Sequence, residues 1–179
     1  MKKLLLFSAF LAFALTAKSQ SEAYKSFKVD IGFGYAIPAE SAGTKGGVSF
    51  TIQPHYRVSD DLALGLRLEG AALAYQTSSS GDTKVSVLAS YAATGEYYLA
   101  DGGIRPFIGA GAGLFTRASI DVGSGSTTVT VPSATKFGFF PTVGIEAGHF
   151  RLAADYNILP DKGGYLAFKI GFFLGGGKK

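Results

Sequence analysis

The sequence lacks cysteine and tryptophan and is poor in charged residues. None of its 179 residues is Cys, which excludes a disulfide framework and a thiolate metal site. Charged residues make up 17% of the chain, against roughly 25% in an ordinary soluble domain. Hydrophobic residues reach 47%, and there are 25 glycines. This balance argues against a disordered chain and against a well-solvated globule, and the length suits one domain.

Long hydrophobic runs are also missing after residue 20, which excludes a helical membrane protein. The N-terminus alone has an apolar run, Leu4–Ala17, preceded by Met1-Lys2-Lys3. This run has the size of a signal h-region, and Ala17 and Ser19 supply the small residues of a cleavage site. The pattern predicts a signal peptide over residues 1–19, cleaved before Gln20, and a single domain over residues 20–179. A buried N-terminal helix is the alternative.

An excess of positive charge is missing too once that segment is removed. The count of Lys and Arg falls from 17 to 14 when Lys2, Lys3 and Lys18 are left out, against 13 Asp and Glu. The mature chain is therefore close to neutral and has no clustered basic face. We therefore expect no nucleic-acid partner.

From residue 27 onward, apolar residues alternate with polar or very small ones at the period of a β-strand. Each such segment has one apolar face and one polar or small face. Eight segments show the pattern: Phe27–Ala36, Val48–Arg57, Leu62–Glu69, Val85–Tyr97, Arg105–Arg117, Lys136–Glu146, Phe150–Ile158 and Leu166–Leu174.

The connections between these segments differ in length by position. The connections after the odd-numbered segments are mostly long and polar: Ile37–Lys45, Gln76–Thr83, Ala118–Ala134 and Pro160–Gly164. Those after the even-numbered segments are short: Val58–Asp61, Ala100–Ile104 and Gly148–His149. An even strand count with short turns on one side and long loops on the other predicts an all-β fold, an eight-stranded antiparallel up-and-down transmembrane β-barrel.

Alternation alone leaves two barrels open, one with an apolar exterior in lipid and a soluble lipocalin-like one with an apolar interior. A soluble barrel needs a densely charged exterior, whereas here the polar face mixes isolated charges with Gly, Ala and Ser. The charges on that face nearly balance, as expected of paired ions in a lumen. We predict a lumen charge network of Lys28, Asp30, Arg57, Arg67, Glu69, Glu96, Lys136, Glu146, Arg151, Asp155 and Lys169.

Aromatic residues near the strand ends predict girdles at the membrane interfaces, where such side chains concentrate. The members of this set are Tyr35, Phe50, Tyr56, Tyr91, Tyr97, Phe107, Phe150, Tyr156 and Phe172.

The segment Arg105-Pro106-Phe107-Ile108-Gly109-Ala110-Gly111-Ala112-Gly113-Leu114 resembles the Gly-rich fifth strand of a known family. The ending Leu166–Phe173 is similar to that family's closing strand, although Leu174 and the tail Gly175–Lys179 follow it. On these segments the mature chain resembles the small eight-stranded outer-membrane β-barrels, the kin of the OmpA transmembrane domain, OmpX and OmpW. The resemblance implies a place in a Gram-negative outer membrane and insertion by the barrel-assembly machinery.

Motifs for catalysis, cofactors or metals are weak in this sequence. Gly109–Gly113 fails the G-x-G-x-x-G pattern because Leu114 takes the last position. Ser133 and Lys136 match S-x-x-K without its partner motifs. His55, predicted to face the lumen, and His149, in a short turn, are the two histidines, and nothing in the spacing brings metal ligands to either. We therefore predict no catalytic residues, no cofactor and no metal.

The remaining features predict a non-enzymatic, monomeric outer-membrane protein whose lumen is filled by side chains. Its role would be structural, with loops presented to an extracellular or envelope protein partner and the exterior against outer-membrane lipid. The patch Val129–Val131 lies in the connection Ala118–Ala134 and would either be part of a mobile loop or extend the strands as an adhesive edge. Two alternatives stay open. One is a narrow channel for small hydrophobic solutes, and the other is an envelope-lipid enzyme using Ser49, His55 and Glu96.

Overall fold

The computed structural model describes residues 23–39, 44–76, 83–123, 126–128, 134–160 and 164–178. No helix within these ranges is long and apolar enough to cross a membrane. The predicted signal peptide, the patch Val129–Val131 and Ser133 lie outside the described residues. The strands are β1 (Phe27–Pro38), β2 (Thr44–Arg57), β3 (Leu62–Gln76), β4 (Thr83–Tyr98), β5 (Ile104–Gly123), β6 (Ser126–Thr128), β7 (Ala134–Ala147), β8 (Phe150–Asn157) and β9 (Tyr165–Gly175).

Eight of these strands close into a barrel in which every pairing is antiparallel. Neighbours in sequence pair with one another around the barrel, with β5 beside β7. The first and last strands then pair over the register from Lys28↔Gly175 to Pro38↔Tyr165, which completes the closure. The short strand β6 pairs with the far end of β5 and adds a small hairpin to the wall. The predicted eight-stranded up-and-down barrel is confirmed.

The two ends of the barrel differ. The short-turn end holds the turns 58–61, 99–103 and 148–149, together with residues 23–26 and 176–178. The long-connection end lies opposite, where β1, β3, β5 and β8 end. Strands β3, β4 and β5 run 15, 16 and 20 residues, whereas β8 runs 8. The wall is therefore tallest around β4 and extends at the long-connection end.

The long connections are shorter than the sequence pattern predicts, because the strands continue into them. β2 begins at Thr44, β3 runs to Gln76, and β5 runs to Gly123. The ladder between β4 and β5 persists to Thr83↔Val122. Ser, Gly, Thr and charge signal exposure to water rather than the end of a strand, and a strand that rises beyond the lipid needs no apolar face.

The two faces of each barrel strand differ in polarity as the alternation predicts. On β3, Leu66 is 59% exposed and its neighbour Arg67 is fully buried. The outward face is dominated by large apolar side chains, among them Phe33, Val48, Leu64, Leu114, Phe137, Val143, Leu152, Phe168 and Ile170. The inward face carries the buried charges, so this molecule is apolar outside and polar within.

Eight of the nine aromatic residues expected in interfacial girdles do lie on the outer surface. Phe107 does not, because it is buried inside the barrel, where its ring lies 5.8 Å from that of Tyr98. Its position in sequence shows why. Phe107 shares the parity of Gly109 and Gly111 on β5, and this parity faces inward.

Apolar side chains inside the barrel lie on both sides of a polar middle. Toward the long-connection end, Leu73, Leu88 and Tyr165 pack together with neighbouring alanines. A second group joins Phe115 and Phe140 to Ala92. Tyr98 and Phe107 pack with Ala63 nearer the short-turn end. The inward ionic residues lie between and beside these groups.

Candidate functional site

The inward charges form two connected clusters. The central cluster consists of Arg67, Glu69, Asp155 and Lys169. The short-end cluster consists of Lys28, Asp30, His55, Glu96, Glu146 and Arg151. Every member is buried.

The central cluster spans the whole barrel. Arg67 on β3 donates from Nη1 to Asp155 Oδ2 on β8 at 3.0 Å, and these two strands are diametrically opposite in the barrel order. Lys169 on β9 donates to both Glu69 and Asp155. Because side chains from opposite walls meet, the lumen is filled at this level.

Neutral side chains complete the bonding of the central cluster. Glu69 accepts hydrogen bonds from Tyr165 Oη at 2.5 Å and Thr51 Oγ1 at 3.1 Å. Thr142 donates to Asp155 at 2.6 Å, and Arg67 donates from Nη2 to Asn157 at 2.7 Å. A buried ion pair is tolerable when such bonds satisfy its remaining polar atoms.

The short-end cluster is organised around Glu146. This carboxylate accepts hydrogen bonds from Lys28, from Arg151 Nη1 at 2.6 Å and from Tyr98 Oη at 2.9 Å. Arg151 also donates from Nη2 to Glu96 at 2.5 Å. Lys28 Nζ lies 3.1 Å from Asp30 Oδ1. Two cations, Lys28 and Arg151, and three carboxylates, Asp30, Glu96 and Glu146, thus form one network.

Aromatic faces and glycines fit the charges into the narrow barrel. The Arg67 guanidinium lies 3.4 Å from the ring centroid of Phe140, and that of Arg151 lies 3.9 Å from that of Phe107, distances at which cation–π attraction operates. A Cβ added to Gly111 would meet the Phe140 ring and the Ala93 backbone oxygen. Gly111 of β5 therefore makes room for the Phe140 ring, against which the Arg67 guanidinium lies.

His55 is the most chemically suggestive residue of the short-end cluster. Its Nδ1 lies 3.2 Å from Asp30 Oδ2 and 3.6 Å from Glu96 Oε2, and its Nε2 lies 3.3 Å from Thr94 Oγ1. Ser49, which the enzyme alternative required, lies three inward positions away on β2, beside Gly34 of β1. The barrel therefore brings Glu96 to His55 but does not bring Ser49.

The same geometry assembles three residue types that bind metals. Ligand atoms of Asp30, His55 and Glu96 lie within 4.8 Å of one another, a grouping that the sequence spacing did not reveal. Lys28 contacts Asp30, and Arg151 contacts Glu96. A divalent cation would have to displace Lys28 and Arg151 from these carboxylates or lie beside them, and like charges placed together in a buried site are costly.

A small cavity lies in the middle of the lumen. A cavity of about 20 Å³ is lined by inward residues that include Asp30, Gln53, Arg151, Asp155 and Lys169. About 10–15 Å³ is the minimum for one water molecule. The cavity therefore has room for about one water molecule and none for an organic solute.

The structure places the residues of the predicted lumen network unevenly. Ten of the eleven are buried inside the barrel. Lys136 is half-buried and lies opposite Phe115 near the long-connection end. Sequence reasoning missed Arg105, Tyr98 and Tyr165, which are buried with the charges. Strand parity is the signal for them, since Arg105 shares the parity of Gly109, and Tyr98 that of Glu96.

A closed antiparallel barrel with an apolar outside and a filled ionic lumen defines a transmembrane β-barrel of the outer-membrane class. The chain belongs to the family described as outer membrane protein beta-barrel domain, whose model matches residues 5–174. Its place in the outer membrane follows from this membership. No curated protein matches the chain.

Solved structures show the same fold at low sequence identity. Neisserial surface protein A is 19% identical, with a TM-score of 0.59 and coverage of 86% of this chain and 99% of that one. OprG from Pseudomonas aeruginosa is 13% identical, with a TM-score of 0.55 and coverage of 88% and 100%. Ail of Yersinia pestis, solved with the heparin analogue sucrose octasulfate, is 14% identical, with a TM-score of 0.54 and coverage of 83% and 99%.

Proposed function

We propose that the protein is a non-conducting outer-membrane scaffold that presents the long-connection end of its barrel to partners outside the cell. The observation that carries this proposal is the contact between Arg67 and Asp155 across the full width of the lumen. Within the part of the chain that the structure describes, side chains of the central cluster meet across the lumen and obstruct the route along the axis. Function then falls to the outer surfaces of the barrel.

The height of the wall supports presentation at one end. Short turns face the periplasm in bacterial outer-membrane barrels, so the long-connection end faces outward in this proposal. A tilted strand of about 9–11 residues suffices to cross the hydrocarbon layer, whereas β5 has 20. The additional residues of β5 continue the β4–β5 ladder and pair with β6, and this paired extension is the surface that we propose for an extracellular or envelope protein partner.

Conductance tests the closed lumen. The wild-type protein in planar lipid bilayers should give no reproducible single-channel steps, because the Arg67–Asp155 contact and its neighbours fill the barrel. The double variant Arg67→Ala, Asp155→Ala removes that contact without leaving a single unpaired charge, and it should conduct. Reproducible steps from the wild-type protein that disappear in Arg67→Gln or Glu69→Gln would favour the narrow channel for small hydrophobic solutes instead.

Labelling of intact cells tests the presentation. The chain has no native cysteine, so single-cysteine variants need no background removal. Thr135→Cys, at an exposed position of the long-connection end, should react with a membrane-impermeant maleimide on intact cells. Gly102→Cys, exposed at the short-turn end, should react only after the outer membrane is disrupted. The reverse pattern would contradict the orientation.

We propose further that the protein is not an enzyme. The arrangement of Thr94, His55 and Asp30 places a hydroxyl, an imidazole and a carboxylate in sequence, but all three side chains are buried. The neighbouring cavity of about 20 Å³ is too small for a lipid group. In this proposal the three residues have a structural role in the buried polar network. A strain that lacks the protein should therefore keep the lipid A and phospholipid profiles of the parent strain.

The remaining expectations belong to the same proposal. The basic start and apolar run of residues 1–19 support export by a signal peptide. The outward apolar band supports contact with outer-membrane lipid, and the family supports insertion by the barrel-assembly machinery. Because β1 pairs with β9, the described strands close on themselves and the sheet has no first or last strand left open for another chain, so we propose a monomer.

A further inference from the structure

The short-turn end of the barrel contains a pocket of about 270 Å³. Arg57, Arg105 and Glu146 line its inner part, and Tyr24 and Phe173 contribute aromatic walls. Its rim includes Gly102, Gly103, Gly148 and His149, all of which are exposed. The pocket therefore opens to the solvent at this end and has two arginines at its base.

The two arginines are buried and retain free donors. Arg57 is fully buried and Arg105 is 5% exposed. Within the described residues, Nε and Nη1 of Arg57 and Nη1 of Arg105 have no hydrogen-bond acceptor. A buried donor of a charged group without an acceptor costs more than a typical neutral hydrogen bond contributes. These N–H groups are therefore poised for an acceptor that enters the pocket.

Charge in this half of the barrel is also unbalanced. The buried cations among the described residues here are Lys28, Arg57, Arg105 and Arg151, against the carboxylates of Asp30, Glu96 and Glu146. Glu146 Oε2 lies 3.5 Å from Arg57 Nη2 and, within the described residues, accepts no hydrogen bond, whereas Lys28 and Arg151 both donate to the other oxygen, Oε1. The central cluster, by contrast, has two cations and two carboxylates.

The geometry fixes both guanidinium groups in place. Each lies over the rings of Tyr24 and Tyr98, at 5.0 and 4.4 Å for Arg57 and at 4.0 and 4.3 Å for Arg105. Arg105 is anchored further by donation to the backbone oxygens of Asp60 at 2.7 Å and Ala100 at 3.2 Å. The exposed carboxylate of Asp101 lies 3.8 Å from Arg105. Stacked and anchored guanidinium groups lose little freedom when they bind an oxyanion.

We infer that this pocket, the Arg57–Arg105 pocket, binds a phosphate group. Two fixed guanidinium groups can donate several charge-assisted hydrogen bonds to the oxygens of one tetrahedral anion. The pocket opens to the solvent at the short-turn end, so such an anion can enter it. The phosphate can be free or part of a phospholipid headgroup in the adjacent leaflet. This inference is independent of any partner at the opposite end.

Thermal unfolding of the full chain in a phosphate-free maltoside detergent tests the inference. Inorganic phosphate and a short-chain phosphatidic acid are added separately at constant ionic strength, with sodium chloride as the reference. A bound ligand raises the unfolding midpoint with its concentration. We expect an R105Q variant to bind about tenfold or more weakly, because it loses charge-assisted hydrogen bonds. Arg105→Lys, which keeps the charge but loses the fork, should fall between the two.

The matched control is Arg117→Gln, which removes a half-buried arginine at the far end of β5 and should respond like the wild type. A response to both ligands assigns the site to phosphate in general, and a response to the phosphatidic acid alone assigns it to a lipid headgroup. Either result supports the site if the ligand no longer raises the unfolding midpoint of R105Q, provided that heat-modifiable migration on gels shows this variant to be folded. If R105Q does not fold, the loss is read from Arg105→Lys. No response in the wild type would overturn the inference, and so would a response of R105Q equal to that of the wild type. If R105Q does not fold, a response of Arg105→Lys equal to that of the wild type would overturn it.

Discussion

Single residues in this barrel are stabilised by their partners, and Glu69 shows this most clearly. It accepts hydrogen bonds from Lys169, Tyr165 and Thr51 and lies 3.7 Å from Arg67. Taking one partner out of a buried ion pair leaves the other charge uncompensated, which costs far more than the pair contributes. The stability of the lumen therefore rests on the balance of charge more than on any single bond.

Replacing Glu69 by Gln should lower the free energy of unfolding by about 3–5 kcal/mol, measured by urea titration in lipid vesicles. The amide keeps the shape of the side chain but leaves Lys169 with one carboxylate instead of two. Adding Lys169→Met should restore part of the loss, since Asp155 keeps Arg67 and Thr142. Lys25→Gln, at an exposed position, is the control and should leave stability unchanged. Equal effects of Glu69→Gln and Lys25→Gln would show that the charges are solvated rather than buried.

Individual strands are fitted to the lumen by their small residues, and β5 is the clearest example. Its inward Gly111 lies opposite Phe140 of β7 in the strand register. The space beside Gly111 is taken by Phe140, which in turn stacks on Arg67. Gly70 on β3 points outward, and a Cβ there would meet nothing within 4 Å.

Two Gly-to-Ala substitutions separate packing from backbone entropy. Gly111→Ala should destabilise the barrel by about 1–3 kcal/mol, because the methyl group overpacks a filled interior. Gly70→Ala should be neutral or stabilise slightly, since alanine loses less conformational freedom than glycine on folding. Urea titration of both variants in the same vesicles checks the pair. Equal destabilisation would mean that the interior beside Phe140 is not filled.

At the scale of the strands, the alternation of apolar and polar residues predicts which face of each strand points inward. It does not predict which side chains of different strands come together. The sequence shows that Leu66 points outward and Arg67 inward, because every second side chain of a membrane-spanning strand faces lipid and is apolar. It does not show the continuation of β5 to Gly123, because beyond the lipid neither face has to be apolar. The grouping of Asp30, His55 and Glu96 depends on the register between β1, β2 and β4, and spacing along the chain does not encode it. The inward positions of Arg105 and Phe107, by contrast, follow from the alternation along β5.

At the scale of the whole molecule, the barrel inverts the arrangement of a soluble protein. Apolar side chains face outward, and the interior is held by two clusters of paired ions. Such an interior suits a membrane protein, because the apolar surroundings cannot solvate the charges and the charges must therefore satisfy one another. The same two ion clusters fill the lumen, so the contacts that stabilise the interior are also the basis of the proposed non-conducting role.

Collision accessibility of spin labels in lipid bilayers tests this arrangement most directly. Single labels at Leu66 and Phe168, both outward, should collide with dissolved oxygen and be shielded from a water-soluble nickel complex. A label at Ser90, which is buried inside the barrel, should be shielded from both reagents. Strong collision of the nickel complex with labels at Leu66 and Phe168 would mean that the apolar faces meet water, and it would contradict the account.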